Sequence, residues 1–274
     1  MNPFQQLLRQ TTSSPHHNKM MKSVEPLEQY FGINHFWYYR VTNSGHYSYL
    51  GTNKKWDEYC FENQVFSTVR YLRHPSTLPE GISLMKKTSN PVYKEFLKLA
   101  SEKFNINLSL HLLKKIPEGV EGFGFGLKHK NRRAEEQLLN ELPLLCQFYK
   151  RFREENNALI RHIQNNQIDL ASLIGPVFYE NEKQIQLLPN NRQDFLRKLG
   201  FQDILDLSDR EKQVLKHLSN GFPAQYIADE LSLSKRTIEG YIENIKQKLH
   251  CCSKVELIKK ARDFSATEPY YLDI

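Results

Sequence analysis

Cysteine is scarce in this chain, and its four copies, Cys60, Cys146, Cys251 and Cys252, include no CxxC pair. That excludes a disulfide framework and the usual zinc-ligand spacing, and it fits a reducing, cytoplasmic setting. Long apolar runs are missing as well. No stretch approaches the roughly 20 residues needed to cross a bilayer, and Met1 to Lys22 has no apolar run behind a basic start, so nothing marks the chain for secretion or for a membrane. Catalytic signatures are also lacking. Gly122-Phe-Gly-Phe-Gly126 hints at a phosphate loop but carries no GxxxxGK[ST] lysine and lies in an apolar, strand-like run. His35, His46, His74, His111 and His129 are spread without ligand spacing, His16 and His17 sit in a polar tail, and no Ser or Cys nucleophile has a recognisable partner. A phosphoreceiver is disfavoured, because no buried strand followed by magnesium-holding acidic residues opens the chain. The expectation is a protein that is not an enzyme and holds neither metal nor cofactor.

What is present is enough apolar material for a core, with 39% hydrophobic and 12% aromatic residues, so the chain reads as folded. Its 274 residues leave room for a medium domain and a small one. The net charge of +7 favours polyanionic partners, and its distribution is more telling. Between Ser234 and Arg262, eight basic residues (Lys235, Arg236, Lys246, Lys248, Lys254, Lys259, Lys260, Arg262) stand against three acidic ones (Glu239, Glu243, Glu256). That is a footprint of the kind phosphates attract.

Met1 to Lys22 is polar and reads as a flexible lead-in with a short helix at Phe4 to Leu8. From Phe36 to Val41 and again from His46 to Leu50 the residues turn aromatic and β-branched around Asn43-Ser44-Gly45, which predicts a hairpin. Asn53 to Phe61 and Pro91 to Phe104 read as helices and Val65 to Leu72 as a strand, while Ile106 to Leu113 and Val120 to Leu127 form a second hairpin across Pro117 and Gly119. The sum is an α+β domain, an antiparallel sheet with helices on it. After Arg132 the period becomes helical. Leu138, Leu142, Leu145, Tyr149, Phe152, Asn156, Leu159 and Ile163 follow at steps of four and three, with a restart at Pro143. Two readings stand: a long helix covering the sheet, or a dimer seam whose Asn156 fixes register. Pro189-Asn190-Asn191 ends this domain, and Asp194 to Leu199 reads as a short helix. The boundaries are a flexible segment at 1–30, a sensor or dimerisation domain at 31–190, a linker at 191–205, an all-α four-helix domain at 206–264 and a tail at 265–274.

The C-terminal helices are marked by their ends. Ser208 and Glu211 make a capping box, Val214, Leu215 and Leu218 share one face, and Gly221 suits a left-handed cap. Pro223 suits the first turn of a second helix with Tyr226 or Ile227, Ala228 and Leu231 inward. Ser232-Leu233-Ser234 is a tight turn, and Ser234 caps a third helix. On it Ile238, Ile242, Ile245 and Leu249 face the core, and the opposite stripe is polar. Ser253 and Glu256 open a fourth helix with Leu257, Ile258 and Ala261 inward.

Over residues 207 to 262 the chain resembles the LuxR-type helix-turn-helix family. Leu207-Ser208-x-Arg210-Glu211 corresponds to L-[ST]-x-R-E, Ile227-Ala228-x-x-Leu231 to I-A-x-x-L, Ser234-x-x-Thr237-Ile238 to S-x-x-T-V, and Asn244-Ile245-x-x-Lys248-Leu249 to N-I-x-x-K-L. Gly221 matches the turn between the first two helices. The departures are Ser232 where the family often has Gly, Glu239 where it often has Lys, and Tyr241 where it often has His. The resemblance implies a homodimeric, sequence-specific transcription regulator of a bacterial cytoplasm, with duplex DNA and RNA polymerase as partners. Its DNA contacts are expected from Ser234, Lys235, Arg236, Thr237, Glu239, Gly240, Tyr241, Glu243, Asn244 and Lys248. Lys235, Arg236 and Lys248 are assigned to phosphates. Glu239 and Glu243 either read cytosines or pair with neighbouring cations on their own helix.

The order of hairpin, helix and further hairpin in the N-terminal part resembles a PAS- or GAF-like sensor. Trp56-x-x-Tyr59 resembles the pocket aromatics of acyl-homoserine-lactone receptors, without their Asp-Pro pair. Trp37, Tyr39, Tyr47, Tyr49, Trp56 and Tyr59 are the expected lining of a pocket for a small-molecule effector, or else plain core. The alternative is a ligand-independent regulator whose N-terminal domain serves dimerisation or protein docking.

Overall fold

Alternate residues of a strand face opposite sides, and here both sides are apolar, so each side of the sheet is covered. The computed structural model describes residues 17–63, 65, 69, 71–85, 90–128, 132–180 and 192–267. The Phe4 to Leu8 helix, His16, His129 and the Pro189-Asn190-Asn191 turn lie outside the described residues. The described residues fall into two compact units, 17–180 and 192–267.

The first unit is built on β1 (Ile33–Thr42), β2 (His46–Gly51), β3 (Gly81–Leu84), β4 (Asn107–Ile116), β5 (Gly119–Leu127) and the short β6 (Ile168–Asp169). They pair antiparallel in the order β3-β4-β5-β1-β2-β6, and the short helix α7 (Leu170–Ile174) follows β6. Both expected hairpins are present, and Gly45 takes the positive φ of +84° that the first turn needs. One face carries Trp37, Tyr39, Val41 and Tyr47 and is packed by α2 (Lys54–Glu62) and α3 (Pro91–Phe104). The other carries Phe36, Tyr38, Phe123 and Phe125 and is packed by α1 (His17–Phe31), α4 (Arg132–Asn140), α5 (Leu142–Glu155) and α6 (Asn157–Asn165). A register shift between Leu108 and Leu110 moves them to opposite faces although they are two residues apart.

Gly122, Gly124 and Gly126, the run that hinted at a phosphate loop, lie inside β5. A Cβ on Gly122 would run into the Tyr39 ring and one on Gly124 into the Trp37 ring. The glycines are the floor on which the aromatics of β1 lie.

Some expectations need correction, and the choice between the two readings of the heptad run goes to the sheet-covering one. Residues 17–31 are not a flexible lead-in: α1 buries Met20, Val24, Leu27 and Phe31, a stripe at helical spacing that docks on the sheet. The helix after Arg132 is broken twice, at Glu141 before Pro143 and at Asn156. Its heptad residues Leu138, Leu145, Tyr149, Phe152, Leu159 and Ile163 are spent inside the unit, so the seam covers this chain's own sheet and is not free for a second copy. Buried Asn156 donates from Nδ2 to Ser23 Oγ and Phe152 O, both at 3.0 Å, and fixes α1 against the helix break. Finally, the described residues of the expected strand, Val65, Val69, Tyr71 and Leu72, carry no strand and pack against the ring-lined face.

The second unit contains α8 (Arg192–Leu196), α9 (Gln202–Leu205), α10 (Asp209–Ser219), α11 (Ala224–Leu231), α12 (Lys235–Lys248) and α13 (Lys254–Ser265). In the stretch read as a linker, the short helix expected at Asp194 to Leu199 appears as α8, the chain kinks at Gly200 (φ +88°), and Ile204 of α9 joins the core of this unit with Leu207, Val214, Leu218, Ile227, Ile238, Ile245 and Leu257. Among the described residues no helix is long and apolar enough to cross a membrane.

Candidate functional site

Two features have the chemistry of recognition: a cavity in the first unit and the polar face of α12 in the second. The cavity, about 50 Å³, lies on the α2–α3 side of the sheet. Four of the six expected aromatics, Trp37, Tyr47, Tyr49 and Trp56, line it. Tyr39 is fully buried beside it, its hydroxyl 2.9 Å from His111 Nε2, and Tyr59 stacks on Trp56 from outside the lining. Sequence reasoning missed its polar members, His35 and Asp57. Asp57 follows Trp56 in the first turn of α2, where Asn53 caps the helix, and nothing in the local spacing distinguishes it from a solvated charge.

Tyr49 donates its hydroxyl to Asp57 Oδ1, and His35 Nε2 stands 3.9 Å from the same oxygen. Burial pushes the Asp57 carboxyl up to about 8, against the Tyr49 hydrogen bond, and pushes His35 down to about 3. At neutral pH the pair is therefore largely uncharged, an acid proton beside a neutral imidazole. His35 Nδ1 is buried without a hydrogen-bond partner. The cavity thus offers flat apolar rings and a few polar atoms, and it is small beside the roughly 300 Å³ at which ligand pockets begin.

In the second unit the turn and caps place α12. Both halves of the Ser208–Glu211 capping box form, Gly221 takes φ +83°, and Ser234 Oγ accepts from Thr237 N at 3.0 Å. Ile238, Ile242 and Ile245 are buried, so Lys235, Arg236, Glu239, Gly240, Glu243 and Asn244 are left facing out. Tyr241 is half-buried against the core. Lys235 lies 3.7 Å from Glu239 and Lys246 3.0 Å from Glu243, and Lys248 bridges at 2.8 Å to Glu211. Lys260 donates to Leu249 O and Arg262 to Ser219 O. Among the described residues, Arg236 is the α12 cation without a hydrogen-bond or ion-pair partner. Gly240 has open space where a Cβ would stand, so nothing within the unit calls for glycine there.

Residues 205–261 match the family of bacterial regulatory proteins, luxR family. The C-terminal unit is a LuxR-family domain. The segment is 40% identical over 70 residues to the transcriptional regulatory protein FixJ of Azorhizobium caulinodans, an alignment covering 26% of this chain and 33% of that protein. It is 39% identical over 90 residues to the fimbriae Z protein of Salmonella typhimurium (33% and 40% covered) and 37% identical over 57 residues to the transcriptional regulatory protein DesR of Bacillus subtilis (21% and 29%). The chain thus spans about a third of the length of these relatives. FixJ and DesR are transcriptional regulatory proteins by name. Two solved structures of SdiA, one in complex with octanoyl-rac-glycerol and one from Escherichia coli, align at a TM-score of 0.37 and 15% identity, over 94% of this chain and 92% and 94% of theirs.

Within the LuxR-family domain, Ser232 stands at φ +55°, ψ +44° as the C-cap of α11. That left-handed conformation is the physical reason for a glycine at this position, and serine holds it at a cost. The substitution of Glu for Lys at 239 is balanced by Lys235 one turn earlier.

Proposed function

We propose that the protein is a homodimeric transcription regulator of a bacterial cytoplasm that reads duplex DNA with α12. The observation that carries this is the outward face of α12 in a LuxR-family domain: an unpaired Arg236 in the first turn, exposed Asn244, and Gly240 unexplained by internal packing. Arg236 and Lys235 sit where a groove-entering helix meets the backbone, and Glu239 and Asn244 carry groups for base edges. Lys248 acts from within the fold, through Glu211. With the heptad residues of α4 to α6 buried in their own unit, dimerisation uses another surface.

Glu239 and Glu243 are each paired with a lysine, which supports a charge-balancing role over cytosine readout. Binding-site selection from random DNA with the full chain and with Glu239→Gln tests both levels. A selected, two-fold symmetric motif supports the regulator. A motif unchanged in Glu239→Gln supports charge balance, and loss of preference at a C·G pair supports readout, worth about 1–3 kcal/mol.

The N-terminal unit senses a neutral, largely apolar effector between the rings around Asp57, whose acid proton and the Tyr49 hydroxyl offer its hydrogen bonds. The small free volume favours the second reading, a unit that only docks or dimerises. A thermal-shift screen of uncharged ring-bearing and acyl compounds separates them, since a ligand at about 100 times its Kd stabilises by roughly 2.7 kcal/mol.

A further inference from the structure

The opposite face of the sheet carries a polar row. Arg40 on β1 pairs in register with Ser48 on β2 and with Glu121 on β5, which pairs in turn with Lys114 on β4. Helices α5 and α6 leave this end of the face open, and a cleft of about 430 Å³ opens there. At its floor the buried Glu121 accepts hydrogen bonds from Tyr38 (3.2 Å) and Tyr149 (3.0 Å), with Arg153 at 3.6 Å. Burial, and then the Glu121 charge, hold both phenols above their ordinary values, so they remain donors to that carboxylate. The floor is satisfied within the protein. The walls are not.

Among the described residues, Lys150 on α5 and Arg161 on α6 line the cleft without a hydrogen bond or ion pair. Arg40 also lines it, tied on one side to Glu118 at 3.1 Å while its Nε is buried without a partner. The lining holds four cations against two carboxylates, Glu121 and Glu154. Burial and the Arg153 and Lys150 charges push Lys114 below the ordinary lysine range, although Glu80 and Glu121 oppose them. Like charges gathered in a concavity raise its potential, and a multiply charged anion relieves it. Guanidinium forks suit phosphate oxygens, and the side-chain amides of Asn157 and Gln164 add donors and acceptors for hydroxyls. We propose that this cleft binds a phosphorylated, hydroxylated small molecule of the sugar phosphate class, on the face of the sheet opposite the aromatic cavity.

The test is calorimetric titration of the full chain, at fixed ionic strength, with ribose 5-phosphate, inorganic phosphate, ribose and citrate. Ribose 5-phosphate is expected to bind, inorganic phosphate and citrate more weakly, and ribose not measurably. Arg161→Gln and Lys150→Gln each remove a side chain without an internal partner, so both keep the wild-type Tm, and each is expected to weaken ribose 5-phosphate about tenfold or more. Arg236→Ala, on the nucleic-acid face, leaves this affinity unchanged. No heat from ribose 5-phosphate, equal or tighter binding of citrate or inorganic phosphate, or an affinity insensitive to Arg161→Gln and Lys150→Gln would each overturn the proposal. So would binding lost in Arg236→Ala alone, which would place the phosphate on the LuxR-family domain.

Discussion

The Lys248 ammonium lies 2.8 Å from the Glu211 carboxylate, which also accepts from Ser208 N at 2.8 Å and so closes the cap of α10. One buried carboxylate thereby joins the start of α10 to the end of α12. Lys248 holds the Glu211 pKa below its ordinary value against the opposing effect of burial, and the Ser208 hydrogen bonds help. Lys248→Met is expected to destabilise the C-terminal unit by about 1–2 kcal/mol, because the carboxylate loses a charged partner. The contribution is present above the unfolded glutamate pKa and fades as pH falls through the lowered folded value. Urea melts at pH 7 and at acid pH check this, the two proteins converging at low pH.

Gly240→Ala is expected to move stability and binding in opposite directions. Alanine gains about 0.8–1 kcal/mol in a helix interior, and its Cβ meets open space in the free protein. On DNA the same methyl stands between α12 and the groove. A melt and a band-shift titration on one preparation suffice; tighter DNA binding by the variant would remove the argument for close approach at Gly240.

Ser232→Gly is expected to stabilise by about 1 kcal/mol, since φ +55° is a conformation that glycine adopts without Cβ strain. The urea midpoint should rise with an unchanged m-value.

In the N-terminal unit Asp57 and His35 titrate with opposite signs. Asp57, raised to about 8, favours the fold in its protonated form, so its contribution falls as pH climbs from the unfolded carboxylate range through 8. His35, lowered to about 3, makes stability rise with pH between 3 and its unfolded value of 6.5. The two oppose each other up to 6.5, and above it Asp57 acts alone. Stability of this unit should therefore decline between pH 6.5 and 8, by at most about 1.4 kcal/mol per pH unit, and Asp57→Asn should flatten the slope. Thermal melts across that range read it; the same decline in Asp57→Asn would assign it elsewhere.

The legible parts of the molecule were those whose signals are local. Ser208, Gly221, Ser234 and Ser253 mark the helix ends of the C-terminal unit through cap chemistry within four residues, and the ring-rich strands declare themselves by composition. The α1 stripe of Met20, Val24, Leu27 and Phe31 was equally local but hidden under a polar composition and the internal Pro26. The heptad run was legible as a helix face and silent about its partner, because a sheet and a second helix bury the same stripe. Long-range juxtapositions left no trace in the sequence: His35 beside Asp57, Lys248 on Glu211, and the row Arg40, Glu121 and Lys114 depend on register and packing between segments far apart in the chain.

The central claim is that α12 engages nucleic-acid phosphates through Arg236 while Lys248 is held by its own domain. The most direct test is the salt dependence of binding to a selected duplex whose half-sites lie about 10 base pairs apart, with the wild-type chain and Arg236→Ala compared. The account predicts weaker binding for Arg236→Ala and a slope of log K against log salt reduced by about 0.9, the loss of one phosphate contact. An Arg236→Ala chain that keeps both its affinity and its slope would contradict it.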